Sequence, residues 1–199
     1  IGNTFQRFNR IVRDTAQELG KEIQLVIEGA ETELDRLMVE KLTDPLTHIV
    51  RNAMDHGIES IAQRRENQKP DAGTLKMSAY HHAGNIVIEI SDDGGGIEPS
   101  KIKAKAIEKG VIGEDSQLTD QDLLHLVFHP GFSTAASVTN LSGRGVGMDV
   151  VKRNVEALQG HIDIQSEVGC GTTLTIRLPL TLAIIDGFHV SSGGTQFIV

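Results

Sequence analysis

Apolar residues recur along this chain with two periods, and the switches between them outline its elements. Phe5, Phe8, Val12 and Leu19 repeat at helical spacing over residues 1–19, and Gly20 supplies a stop, so an amphipathic helix is expected there. Ile23, Leu25 and Ile27 alternate over residues 22–27, as a strand does. Helical pattern returns from about Leu34 to His56, with Asp44-Pro45 reading as a helix start (Asp as N-cap, Pro at the first position) and Gly57 as a terminator. Residues 59–73 are polar, hold Pro70 and Gly73, and predict a loop. Leu75, Met77 and Ala79, then Ile86, Ile88 and Ile90, alternate on either side of His82-Ala83-Gly84-Asn85 and predict a hairpin. A Lys-rich helix is expected at residues 100–109 with Gly110 as its stop, and another from Asp120 to Phe128 behind a Thr119/Asp122 capping box. A further helix follows from Met148 to Gln159, ended by Gly160. Ile162 and Ile164, then Leu174, Ile176 and Leu178, form a second hairpin that closes before Pro179. Five strands in hairpin-like pairs, interleaved with helices, give an α+β two-layer sandwich.

Composition narrows this picture without redrawing it. Six Phe, one Tyr and no Trp require a mainly aliphatic core. At 199 residues the chain fits one globular domain with short appendages. A formal charge of −8 argues against nucleic acid or an anionic membrane as a bulk partner. No apolar run approaches the ~18 residues of a membrane span, so direct membrane insertion is not expected. The single Cys170 cannot form an intramolecular disulfide, which fits a reducing cytosol, and it is assigned no role. The chain opens on Ile1 rather than Met and is expected to be a fragment of a longer protein.

Candidate chemistry concentrates on one helix and three glycine loops. Leu46, Ile49, Val50, Ala53 and Met54 share one face of the helix before Gly57, and His48, Arg51, Asn52, Asp55 and His56 share the other. A solvated face normally shows Lys and Glu. His, Asn and Asp instead offer oxygen and imidazole groups suited to Mg²⁺ or its waters. Asp92-Asp93-Gly94-Gly95-Gly96 follows a strand, where a carboxylate can accept from an exocyclic amine and glycines let backbone approach a planar ring. An ordinary acidic turn is the competing reading of those five residues. Ser142-Gly143-Arg144-Gly145-Val146-Gly147-Met148 runs into a helix N-terminus, where free N–H groups suit phosphate oxygens. It is not a dinucleotide fingerprint, which would need glycine at Met148, and the chain has no G-x-x-x-x-G-K-[ST] loop. Gly169-Cys170-Gly171-Thr172-Thr173 is the third loop, and a plain hairpin turn explains it equally well.

The order H-x-x-R-N-A-x-D-H-G, D-x-G-x-G, F-x-P-G-F-S-T, G-R-G-V-G-M-D-V-V and G-x-G-T-T resembles the ATP-binding domain of the CheA family of chemotaxis histidine kinases. That family lies within the superfamily of gyrase, heat-shock chaperones, histidine kinases and MutL. The resemblance implies a Bergerat ATP-binding fold, with a mixed sheet covered by helices on one face. It implies three parts: residues 1–20 as the end of a dimerisation helix, 21–178 as the kinase domain, and 179–199 as a linker and first strands of a truncated SH3-like regulatory domain. ATP and Mg²⁺ are the implied cofactors. Asn52 would be the metal ligand, with His56 in support. Asp92 would read the adenine amine, reinforced by Thr172, and Gly94 and Gly96 would shape its loop. Arg51, Asp55 and the run from Ser142 through Gly143, Arg144, Gly145, Val146 and Gly147 to Met148 would complete the ATP site. Phe128 to Thr134 would belong to a loop covering the nucleotide, and Lys101 and Lys105 would approach the phosphates. Gly95 departs from many relatives, at a variable position.

The same fold serves enzymes that hydrolyse ATP, so the reaction turns on a detail. Where the gyrase-like branch carries a water-activating Glu, one turn before the Asn, this chain carries His48. A neutral imidazole is a poorer steady base for water than a carboxylate and can hydrogen-bond the phosphoryl group instead. Transfer to a histidine on a separate acceptor domain is therefore favoured. A slow ATPase acting as a conformational switch and a non-catalytic nucleotide-binding scaffold stand as alternatives. The resemblance further implies an acceptor domain of the same protein acting in trans, a homodimer through a missing dimerisation domain, a coupling protein and receptors, and a cytoplasmic setting.

Overall fold

The computed structural model describes residues 2–132, 147–180, 189–192 and 195–198. Its centre is a five-stranded mixed sheet in the order β1-β2-β3-β5-β4, built from β1 (Ile23–Glu28), β2 (Gly73–His82), β3 (Asn85–Asp92), β4 (His161–Glu167) and β5 (Gly171–Pro179). β1 lies parallel to β2, and every other pairing is antiparallel. The β2–β3 hairpin turns through Ala83 (φ 47) and Gly84 (φ 75), two successive left-handed residues of the kind that match strand twist.

Alternation decides which face is covered. Leu75, Met77, Ala79, Ile86, Ile88, Ile90, Ile162, Ile164, Leu174, Ile176 and Leu178 point to one side and are buried beneath the helices. Lys76, Glu89, Thr175 and Arg177 point to the other. The helical layer comprises α1 (Gly2–Leu19), α2 (Arg36–Asn52), α3 (Ile61–Glu66), α4 (Pro99–Glu108), α5 (Asp120–His125) and α6 (Met148–Glu156). Ile49, Val50 and Met54 are fully buried, as the helical arithmetic requires. A separate two-stranded pair, β6 (His189–Ser192) and β7 (Thr195–Ile198), lies within the stretch expected to begin another domain.

Three local expectations are corrected. α2 starts at Arg36, not at Asp44-Pro45: Asp35 accepts from the N–H groups of Leu37 and Met38, and Pro45 sits buried inside the helix. The neighbouring hydroxyls of Thr43 and Thr47 bond back to the carbonyls of Val39 and Thr43 at 2.8 and 2.7 Å. A six-residue helix, α3, interrupts the expected loop at residues 59–73. Six residues are too few to show a period, but the helix has a full capping box between Ser60 and Gln63. α6 ends at Glu156, and Gln159 (φ 56) rather than Gly160 takes the left-handed position beyond it. Gly160 is small for another reason: a Cβ there would meet Leu178 Cδ2 at 2.7 Å and Arg177 O at 2.9 Å.

Candidate functional site

α2 does not finish as a regular helix. From Ala53 to Gly57 it widens into a π turn, closed by Ile58 N–H to Ala53 O at 2.8 Å. Such bulges re-aim side chains and occur often at functional sites. Asn52 is the last α-helical residue, and Asp55 and His56 ride exposed on the wide turn, with His56 Nε2 3.6 Å from Asp55 Oδ2. His48 and Arg51 lie half-buried one turn earlier. Burial, then the charge of Arg51, hold the His48 pKa below its usual value, with Asp149 pulling it back up and His56 adding a further depression. The imidazole is accordingly neutral at neutral pH.

Asn52 Nδ2 donates to Met148 Sδ at 3.3 Å, which brings the first residue of α6 against the end of α2. With the amide nitrogen engaged, the amide oxygen is the atom turned to other partners, and among the described residues it accepts no hydrogen bond. Gly147 occupies the N-cap of α6 without a side-chain cap, so the first N–H groups of that helix suit an anion. No group of three or more His, Cys, Asp or Glu side chains converges among the described residues. A cation here would thus complete its shell with phosphate oxygens and water. That is the usual manner of Mg²⁺, and it fits a single amide oxygen better than a nest of carboxylates.

Asp92 closes β3 on the core side and is only 7% exposed. Its Oδ1 accepts from Gly94 N–H at 2.9 Å. Burial pushes its pKa up to about 6, opposed by the backbone N–H groups of Gly94 and Thr172 and reinforced by the charges of Asp93 and Glu59. Thr172, also 7% exposed, faces Asp92 directly across the β3–β5 ladder. The Thr172 hydroxyl lies 2.9 Å from Ser166 Oγ, which accepts from Ile97 N–H at 2.8 Å. Glycine is needed where backbones converge on this carboxylate. A Cβ on Gly94 would lie 2.0 Å from Gly57 O, one on Gly96 2.1 Å from Glu167 O, and one on Gly171 1.9 Å from Asp92 O. Gly57 itself abuts the carboxylate: a Cβ there would meet Asp92 Oδ2 at 3.0 Å. Gly95 N–H donates to Gly57 O at 3.0 Å. The π turn and the D-x-G-x-G loop therefore form one continuous wall.

Behind that wall lies a group that the sequence reading missed. Arg64 on α3 is fully buried, and its guanidinium binds Glu59 Oε2, both carboxylate oxygens and the carbonyl of Asp93, and the carbonyls of Pro70 and Ala72. Lys69 Nζ adds bonds to Glu59 Oε1, Asp93 O and Gly94 O at 2.9, 2.9 and 2.7 Å. The Ser60/Gln63 capping signature was the available clue that α3 would place Arg64 inward.

Other expected residues lie apart or beyond the description. Lys101 is exposed and paired with Glu98 at 2.9 Å, while Lys105 is half-buried on the same helix. α4 packs on α5 and the 3-10 turn Leu126–Phe128 rather than on α2. Its end is tied to the neighbouring loop by Lys109 Nζ, which bonds Gly131 O at 2.7 Å. Ser142, Gly143, Arg144, Gly145 and Val146 fall outside the described residues, as do Ser133 and Thr134.

Known proteins resemble this chain along most of its length. Residues 41–182 match the family described as Histidine kinase-, DNA gyrase B-, and HSP90-like ATPase. The chain is 56% identical over 192 residues to the sensor histidine kinase CheAY of Helicobacter pylori, covering 96% of this chain and 24% of that protein. It is 52% identical over 195 residues to the chemotaxis protein CheA of Salmonella typhimurium, covering 98% of this chain and 29% of that one. The chain thus spans only about a quarter of the length of such relatives. Among solved structures, the histidine kinase AdeS of Acinetobacter baumannii superposes with a TM-score of 0.52 at 17% identity, over 90% of this chain and 64% of that one. A mycobacterial sensor histidine kinase, MprB, does so at 0.51 and 18% identity, over 88% and 93%. Both show likeness of fold.

Proposed function

This chain belongs to the histidine kinase-, DNA gyrase B- and HSP90-like ATPase family, and from that premise we propose that it is the ATP-binding catalytic domain of a chemotaxis protein-histidine kinase. The observation that carries the reading is the buried Asp92 carboxylate, set directly against the end of the helix that bears Asn52. Ionised Asp92 accepts from the adenine amine, and Thr172 supports it from the facing strand. Phosphates extend toward the N-terminus of α6 and the Asn52 amide oxygen. The Asn52 amide oxygen would hold Mg²⁺ there, and the ion would supply charge neutralisation at the phosphates. His56 would support that ion indirectly, since Mg²⁺ prefers oxygen to imidazole nitrogen.

Neutral His48 donates a hydrogen bond to the γ-phosphoryl oxygens rather than drawing a proton from water. The phosphoryl group then passes from its bridging oxygen to an imidazole nitrogen of the acceptor, and ADP leaves. That acceptor lies on a separate domain of the longer protein, reached in trans within a homodimer for which residues 1–20 are the end of the dimerisation helix. Residues 21–178 are the kinase domain, and residues 179–199 lead to a regulatory domain that meets a coupling protein and receptors. Among the described residues no helix is long and apolar enough to cross a membrane, and a cytoplasmic setting fits this role.

Incubation with γ-labelled ATP and Mg²⁺, with and without a histidine-bearing acceptor domain, tests the proposal. Acid-labile label should accumulate on the acceptor. Phosphate released to solution with none transferred would favour an ATPase switch, and nucleotide binding with neither outcome a scaffold.

A further inference from the structure

α1 and β1 are joined by three residues, and the middle one has an unusual engagement. Gly20 takes a left-handed conformation (φ 62) that turns the chain out of α1. The next side chain, Lys21, runs to the far end of α2, where its ammonium donates to Met54 O at 2.8 Å, Asp55 O at 2.7 Å and Ile58 O at 2.7 Å. Three bonds are the full donor capacity of an ammonium. The acceptors are carbonyls of the kind a helix end leaves without intrahelical partners, and a cation there complements the helix dipole. Lys21 is half-buried. Burial is the larger influence on its pKa and lowers it, with the Asp55 and Glu59 carboxylates opposing.

The turn that Lys21 holds is the one that walls the carboxylate site. Asn52 leads into it, Asp55 and His56 lie within it, and Gly57 abuts Asp92 while accepting from Gly95 N–H. No other cation donates to these three carbonyls among the described residues. Asp55 and His56 are themselves exposed, so their side chains do little to anchor the turn.

We propose that Lys21 is a positioning residue that locks the π turn to the end of α1, holding Asn52 and His56 in register with Asp92. A shift of α1 against the sheet is thereby passed to the nucleotide site through this ammonium, beside the direct packing of α1 on α2 and on the turn. The nucleotide half of this inference rests on the ATP-binding reading above; the lock itself does not.

Two measurements on the whole 199-residue chain test it. The first is amide hydrogen exchange. In Lys21→Met, the amides of Ile58 and Gly95, whose acceptors belong to the turn, should exchange about tenfold faster while the β2–β3 ladder stays protected. The second is calorimetry with a non-hydrolysable ATP analogue and Mg²⁺, where affinity should fall about tenfold. Lys21→Arg should restore most of both effects. Lys21→Gln, which keeps one donor group, carries the test should the Met variant fold poorly. Wild-type exchange at Ile58 and Gly95 in a folded Met or Gln variant would overturn the lock. Equal acceleration throughout the sheet would overturn it too, since that marks general destabilisation. Unchanged analogue affinity beside a loosened turn would overturn the link to nucleotide. A wild-type chain that binds no nucleotide would instead refute the ATP reading, and the exchange result would decide the lock alone.

Discussion

At the scale of single residues, Asp92 shows how a binding group can oppose the fold that carries it. Its pKa in the folded chain is about 6, against an ordinary value near 3.8. A raised carboxyl pKa means the folded state holds the proton more tightly than the unfolded one. Folding is therefore favoured most below the unfolded value and loses stability as pH rises toward 6. Asp92→Asn should accordingly be more stable than wild type at pH 7, by on the order of 3 kcal/mol, with the gap closing near pH 4. Thermal unfolding of both forms at the two pH values checks this, and an Asn variant less stable at pH 7 would contradict it. The same carboxylate must be ionised to accept from adenine, so metal-free ADP should bind more tightly as pH rises through about 6 and level off above it. Asp92→Ala should weaken that binding by about 1.5–3 kcal/mol. His48 titrates in the opposite sense. Its depressed pKa contributes stability above the unfolded value of 6.5, lost as pH falls through the folded one. His48→Gln should keep most nucleotide affinity and slow phosphoryl transfer, and transfer at the wild-type rate would remove His48 from the mechanism.

At the scale of elements, the candidate site was legible from the order of its motifs more than from any residue alone. The His, Asn and Asp face of the helix is suggestive by itself, whereas Asp92 and its glycines read in isolation as an ordinary acidic turn, and only the run of motifs along the chain marks both as site residues. Shape was less legible. The π turn at Ala53–Gly57 has no compositional mark, because one extra residue per turn leaves the apolar positions Ala53 and Met54 still buried. Asp44-Pro45 imitated a helix start so well that the true cap at Asp35, nine positions earlier, went unread. Arg64 was missed because an Arg64-Arg65 pair in a polar stretch reads as solvated, yet Arg64 is fully buried among Glu59 and Asp93. Arg64→Ala would leave Glu59 with Lys69 alone and Asp93 with only the Thr74 N–H, and should cost about 3 kcal/mol in denaturant unfolding, more than its position in the sequence suggests. Gly94→Ala probes the adjacent contact, since its methyl would collide with Gly57 O. It should abolish nucleotide binding while leaving the β2–β3 hairpin intact by hydrogen exchange.

At the scale of the whole molecule, one face of the sheet divides the labour along its strands: aliphatic packing beneath the helices sets the frame, and Asp92 and Thr172 at the facing ends of β3 and β5 carry the polar work. None of the eight histidines is followed by an acidic residue or begins an H-x-x-K-G pattern, the two settings expected of an acceptor. The chain should thus bind Mg-ATP without labelling itself, and acid-labile label lost on mutating one of its own histidines would contradict this. The order in which the chain lays down its strands has a kinetic consequence. Both hairpins, β2–β3 and β4–β5, close locally, whereas Asp92 meets Thr172 only when the two halves of the sheet dock. Such distant pairings are slow to form. If docking follows the rate-limiting barrier, nothing that grips Asp92 and Thr172 together can hurry the chain toward its folded form; it can only delay departure. In stopped-flow experiments, saturating nucleotide should leave the refolding rate unchanged and slow unfolding in proportion to its binding energy.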